Sequence, residues 1–207
     1  MIINPDIEEY LLALHKKRHS LLKEMEDFGH NINFPILGPM VGTVLLQFTL
    51  ATKAKRIMEL GSGFGYSAFW FAMGLPDNGM VFCTDYSAKN KQMADGYFSR
   101  AGFKHKINFS TGDALEILDR AEGEFDIILN DIKKNQYSLA FEKMLSKLRP
   151  GGLLISDNVL WKGKVVHPSD DETVKAIQDF NQLIFNSDKV VTTILPIRDG
   201  IGICIKM

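Results

Sequence analysis

Cysteine is scarce in this chain, with Cys83 and Cys204 the only two in 207 residues. Each sits in an apolar, strand-like run (Met80 to Thr84 and Ile201 to Ile205). Neither a zinc-binding spacing nor a disulfide framework is available, and buried thiols in a reducing compartment are expected. Long hydrophobic runs are missing too. No segment nears the roughly 18 apolar residues of a membrane span. The N-terminus carries Asp6, Glu8 and Glu9 where a secretory leader would place basic residues before an apolar stretch. The expectation is a cytoplasmic protein with no membrane partner. Nor is there an excess of either charge, since the formal net charge is -1. Lys53, Lys55 and Arg56 form the densest basic cluster, which is short and reads as a solvated helix end. A face that would hold nucleic acid by its phosphates is therefore not expected.

What is present is an ordinary globular composition, 45% hydrophobic and 24% charged. The length suits one domain over residues 1–207. Asn4-Pro5 opens a first helix, Asp6 to Asp27, in which Ile7, Leu11, Leu14, Leu21, Leu22 and Met25 recur at near-helical spacing. Phe28 to Pro39 reads as a loop and Met40 to Thr52 as a second helix. From there short apolar runs alternate with amphipathic stretches. Strands are expected at 56–60, 80–84, 106–110, 125–129, 153–156, 189–195 and 200–206. Helices are expected at 66–73, 88–101, 114–118, 136–148 and 171–186. The pattern predicts an α/β, Rossmann-like fold. Its seven-stranded sheet is mostly parallel, closes in a C-terminal antiparallel hairpin, and has helices on both faces. Residues 53–207 would form the core, and residues 1–52 a substrate lid or a dimer contact.

Open α/β sheets collect ligands at the carboxyl ends of their strands. The first such end reads Glu59-Leu60-Gly61-Ser62-Gly63-Phe64-Gly65-Tyr66-Ser67. The glycines let the backbone turn tightly against a ligand. Tyr66 occupies the place of the third glycine of a dinucleotide fingerprint, and Glu59 would repel a pyrophosphate but attract a sulfonium or amino group. Asp85 ends the second strand, where it can accept bonds from ribose hydroxyls; Tyr86 follows it. Gly112-Asp113-Ala114 ends the third strand, with Asp113 either capping the next helix or meeting an adenine amine. These features favour S-adenosyl-L-methionine, with a nicotinamide cofactor or a purely structural glycine turn as the competing readings.

The fourth strand runs into Asn130-Asp131-Ile132-Lys133-Lys134 and the fifth into Asp157-Asn158-Val159-Leu160-Trp161. If these strands neighbour the first, Asp131, Asp157 and Asn158 offer three oxygen ligands in a small volume. Hard divalent cations choose such oxygens. Each Asp could instead be a helix or turn cap.

The strings ELGSGFGYSA, FDIILNDIKKNQY, LRPGGLLISDNVLWKGKVV and LPIRDGIGICIK resemble, in order, those of the cation-dependent O-methyltransferases of the caffeoyl-CoA and catechol type. The likeness runs from about Gly42, which matches the family's turn into the second helix, to the C-terminus. It implies that Asp131, Asp157 and Asn158 bind the metal (Mg²⁺, with Mn²⁺ or Ca²⁺ as alternatives) and that Lys134 is the catalytic lysine beside Asp131. It places Glu59, Gly61, Ser62, Gly63, Ser67, Asp85, Asp113 and Ala114 at the cofactor, and we add Tyr66, Tyr86, Gly112 and Asp131. The implied substrate is a small aromatic vicinal diol. Lys134 would accept its proton or hold its oxyanion, and Tyr66 and Trp161 could flank its ring. The likeness also implies a homodimer. Lys133 stands where the plant enzymes carry an acidic residue, so that a contact to the cofactor is lost or replaced, and Lys162 stands where they carry asparagine, which argues against a phenylpropanoid ester. Phe34 to Pro39 replaces their cofactor-contacting serine/threonine segment. The five histidines receive no role. Two other readings remain, a methyltransferase on RNA (a hydroxylated base) or protein with the same core, and a cofactor-binding module without turnover.

Overall fold

One helix is expected from Asp6 to Asp27; the computed structural model, which describes residues 4–15 and 18–207, has two. Helix α1 (Pro5–Leu14) starts at Asn4, whose side chain accepts from the Asp6 amide at 2.9 Å. Helix α2 (Ser20–Asn31) starts at His19, whose Nδ1 accepts from the Leu21 amide at 3.2 Å. Arg18 adds a second break by donating to the His15 carbonyl at 2.6 Å, which satisfies a helix end. Apolar spacing carries no trace of these local bonds, because Leu14 and Leu21 stay in phase across the gap. Lys16 and Lys17, inside the expected helix, lie outside the described residues. His15 also meets Thr43 Oγ1 at 3.2 Å, so two histidines given no role serve the N-terminal packing.

Helix α3 (Gly38–Ala51) holds Gly42 within it rather than at a turn. A Cβ there would sit 2.3 Å from the Trp70 ring, so the glycine lets two helices touch. The repeating part follows: β1 (Arg56–Leu60), α4 (Tyr66–Gly74), β2 (Met80–Asp85), α5 (Ala88–Arg100), β3 (Ile107–Thr111) and α6 (Ala114–Arg120). It continues with β4 (Phe125–Asn130), α7 (Tyr137–Lys147), β5 (Leu148–Asp157), α8 (Glu172–Asn186), β6 (Val190–Leu195) and β7 (Ile201–Lys206). Strand β5 begins five residues earlier than expected. Leu148 pairs with Phe125, and an irregularity between Phe125 and Ile127 absorbs the Pro-Gly-Gly segment.

The seven strands form one sheet in the order β3-β2-β1-β4-β5-β7-β6. Strands β3, β2, β1, β4 and β5 are parallel; β7 pairs antiparallel with both β5 and β6. Side-chain alternation sorts the core into two layers. Ile57, Val81, Ile127 and Leu129 face one way onto Phe69 and Phe71 of α4. Met58, Ile128 and Leu154 face the other onto Phe141 and Phe180 of α7 and α8. Strand order reverses between β1 and β4, and at such a point the carboxyl ends splay to leave a crevice. No helix among the described residues is long and apolar enough to cross a membrane.

Candidate active site

The crevice is framed by backbone contacts that only glycine allows. Gly61 has φ +88°, and a Cβ on it would lie 2.4 Å from the Asp131 carbonyl oxygen. The Asp131 amide in turn donates to the Leu60 carbonyl at 2.9 Å, locking the tips of β1 and β4 together. The loop is held to β2 as well: the Ser62 amide donates to the Thr84 carbonyl at 2.7 Å, and the Gly63 amide to Asp85 Oδ2 at 3.1 Å. Asp85 Oδ1 accepts from Ser87 N and Asn90 Nδ2, which fixes the carboxylate at the strand end.

Two lobes open from this frame and share Gly61, Asp85 and Asp131. The smaller, about 310 Å³, is bounded by Tyr86, Gly112, Asp113, Ala114 and Lys133. Asp113 caps α6 through the amides of Leu115 and Glu116 and accepts from the Tyr86 hydroxyl at 2.6 Å. That hydroxyl holds the Asp113 carboxyl below its ordinary pKa. The larger lobe, about 550 Å³, brings Ser62, Gly63, Tyr66 and Ser67 together with Asp131, Lys134, Asp157 and Asn158. All sequence-predicted residues except Glu59 therefore border one of the two lobes.

Glu59 is fully buried behind the loop instead of facing the crevice. Its carboxyl accepts from the Ser67 hydroxyl, with Cys83 Sγ 3.6 Å away. Loss of water raises its pKa to about 7, against which the Ser67 and Ser62 hydroxyls act. From there Glu59 reaches a ligand only through Ser67 or the loop backbone. Tyr66 is also nearly buried; its hydroxyl donates to Glu26 Oε1 at 2.8 Å, linking the loop to α2.

The larger lobe ends in an acidic pair. Lys134 Nζ donates to Asp131 Oδ1 at 2.8 Å and to the Tyr137 hydroxyl at 2.7 Å. That hydroxyl lies 3.1 Å from the Asn130 carbonyl and 2.9 Å from the Asp157 carbonyl, so Tyr137 fastens β4 to β5 beneath the site. Asp157 Oδ1 is buried without a hydrogen-bond partner. Its other oxygen has Arg198 Nη1 at 3.7 Å. Burial first, and then repulsion from Asp131, push the Asp157 carboxyl up to about 7. Burial also raises Asp131, against the attraction of Lys134. Two carboxylates that repel each other, one with an orphaned oxygen, want a cation between them. Asn158 adds an amide from a backbone at φ +60°. Among the described residues no three His, Cys, Asp or Glu side chains cluster as a metal site. The set here is two carboxylates and one amide, a hard-oxygen set that fits Mg²⁺ or Mn²⁺.

Reading the sequence alone misses three contributors. Tyr137 stands within the strand-end string, but nothing in its spacing shows that its hydroxyl bridges two strands. Arg198 follows a turn proline, and only the antiparallel placement of β7 brings it to Asp157. Phe34 to Leu37, expected as a plain loop, forms the apolar wall of the larger lobe.

A sequence profile of the O-methyltransferase family matches residues 15–207. Caffeoyl-CoA O-methyltransferase 2 of Zea mays is 31% identical over 99% of this chain and 84% of its own length. Caffeoyl-CoA O-methyltransferase 2 of Petunia hybrida is 29% identical over 95% of this chain and 88% of its own. Among solved structures, the O-methyltransferase from Bacillus cereus in complex with SAH superposes with a TM-score of 0.88 at 28% identity, covering 98% of this chain and 97% of that one. TomG from Streptomyces achromogenes, an O-methyltransferase solved with SAM, shares the fold at a TM-score of 0.85 and 23% identity, over 98% of this chain and 96% of its own. By fold and by family, the chain belongs to the O-methyltransferase family and is an S-adenosylmethionine-dependent O-methyltransferase.

Proposed function

We propose that this methyltransferase acts on one hydroxyl of a small aromatic vicinal diol and requires a divalent cation held by Asp131, Asp157 and Asn158. The observation that carries this reading is the acidic pair in the larger lobe, with the partnerless Asp157 Oδ1, beside Lys134. A bound cation would supply charge that favours the ionised form of a coordinated hydroxyl. Bound S-adenosylmethionine would supply the methyl group and would leave as S-adenosylhomocysteine, while the hydroxyl proton would pass to Lys134 or to solvent. The smaller lobe suits the nucleoside part, with Asp85 offered to ribose hydroxyls and Asp113 to an adenine amine.

The chain's own residues do the rest. Lys134 Nζ, steadied by Asp131 and Tyr137, would hold the developing oxyanion as an ammonium or, after yielding a proton to solvent, would take the hydroxyl proton as a neutral amine. Trp161, Tyr66 and the Phe34–Leu37 wall give a flat ring an apolar seat and exclude water from it. Fixed strand tips set the distance between acceptor oxygen and methyl donor, and such positioning provides much of the acceleration. We further propose a homodimer. Helix α1 buries none of its side chains and exposes Ile7, Tyr10 and Leu14, an apolar surface of the kind that associates.

Transfer of labelled methyl to catechol and its relatives, with and without chelator, tests the enzymatic reading. Turnover that collapses under chelation and returns with Mg²⁺ or Mn²⁺ is expected. Turnover indifferent to the chelator would remove the cation from it.

A further inference from the structure

The larger lobe, lined by Asp85, Asp131, Asp157 and Asp199, also holds two basic side chains that the proposed reaction does not use. Lys134 is paired with Asp131, but Lys162 and Arg198 also line the cavity. Among the described residues the Lys162 ammonium has no acidic partner. Arg198 has only Asp157, at 3.7 Å, outside hydrogen-bond range. The two side chains stand on adjoining loops. The amides of Val159 and Leu160 donate to the carbonyls of Gly200 and Asp199 at 3.1 and 2.9 Å, and the Lys162 amide donates to the Asp199 carboxylate. A Cβ on Gly200 would lie 2.4 Å from Leu160 Cγ, so the loops are packed as closely as the backbone allows.

Both residues hold a backbone conformation that costs free energy. Lys162 has φ +56° and Arg198 φ +53°. Asparagine tolerates this region through local bonding, whereas lysine and arginine gain nothing from it. Asn158 and Trp161, at φ +60° and +44°, line the same lobe. Strain of this kind persists where the surrounding fold enforces it, and it concentrates where ligands bind.

We infer that the substrate carries an anionic group, a carboxylate in the simplest case, and that Lys162 and Arg198 are the specificity-determining residues that receive it. This rests on the diol reading above. The aryl ring lies on the Phe34–Leu37 wall, the diol points to Asp131 and Asp157, and the acidic substituent points to the paired cationic loops. Arginine offers a planar fork that matches a carboxylate, and lysine a mobile point charge. A neutral diol of the same shape leaves both cations unused.

The test compares protocatechuate with its neutral amide, each titrated calorimetrically into protein saturated with S-adenosylhomocysteine and Mg²⁺. Wild type is expected to prefer the acid by about tenfold or more, the preference shrinking as salt is raised. In Lys162→Ala, and in Arg198→Gly, which suits the left-handed backbone, that preference should shrink, and in the double variant it should vanish. The amide, measured in each variant, serves as the reference for any change that loss of Arg198 makes at Asp157. Equal binding of acid and amide by wild type, a preference that survives the double variant, or no binding of either ligand overturns the inference. Methyl transfer measured on the same samples separates the two readings. Binding with acid preference but no transfer sinks the diol chemistry alone, whereas transfer to both ligands without preference sinks the anion site alone.

Discussion

Lys134 is one residue with two jobs, and its contacts say which is larger. Its ammonium neutralises Asp131 and supports the Tyr137 hydroxyl, yet the apolar layer it borders through Tyr137 is held mainly by side chains such as Phe141, Phe180 and Leu154. Lys134→Ala should therefore leave a folded protein whose turnover at saturating metal is lower by about a hundredfold or more, the usual scale for a lost acid–base group. Unchanged turnover would take it out of the reaction. Glu59 makes the opposite case, a site residue whose effect is read in stability. Its folded pKa of about 7 exceeds the ordinary 4.5, so the folded state binds the proton more tightly than the unfolded one. Its share of stability is then fully present below pH 4.5 and is lost as pH rises through about 7, at a slope of up to roughly 1.4 kcal/mol per pH unit. Urea unfolding at several pH values should show that slope reduced in Glu59→Gln; an identical slope would assign it elsewhere. At this scale the sequence displayed the residue types and their spacing, because Asp131, Lys134, Asp157 and Asn158 sit at strand tips that any alternating β/α pattern brings together. It hid the burial of Glu59, since a side chain's facing depends on how the loop folds over it, and it hid Arg198, whose neighbour in space lies on another strand.

At the scale of elements, hydrophobic periodicity carried the repeating part of the chain, where each strand is a short apolar run between turn residues. It failed where termination is local and polar. Arg18 and His19 divide the first helix by hydrogen bonds that no apolar count detects, and β5 absorbs a Pro-Gly-Gly segment that reads as a turn. Gly42 matches the family pattern, but its reason is packing, with α3 and α4 meeting where its side chain would be. Gly42→Ala gains helix propensity worth up to about 1 kcal/mol, whereas overpacking of this kind costs about 1–3 kcal/mol. The clash should win because the 2.3 Å approach is to a rigid indole ring. A lowered denaturation midpoint is expected; a raised one would mean that the helices can part freely.

At the scale of the whole molecule, the fold brings five parallel strand tips and one antiparallel turn to a single crevice, and the chemistry follows from that convergence. The exposed apolar side chains of α1 lie apart from this crevice and are read as a dimer contact. Light scattering should return twice the 23.3 kDa of one chain, and a single-chain mass would dismiss the contact. The central claim is that two acidic strand ends and an amide gather one hard cation beside the methyl donor. Calorimetric titration of Mn²⁺ into protein loaded with S-adenosylhomocysteine tests it most directly. One ion bound per chain, and none in Asp157→Ala, is the predicted result; no binding heat in wild type, or unaltered binding in the variant, would contradict it.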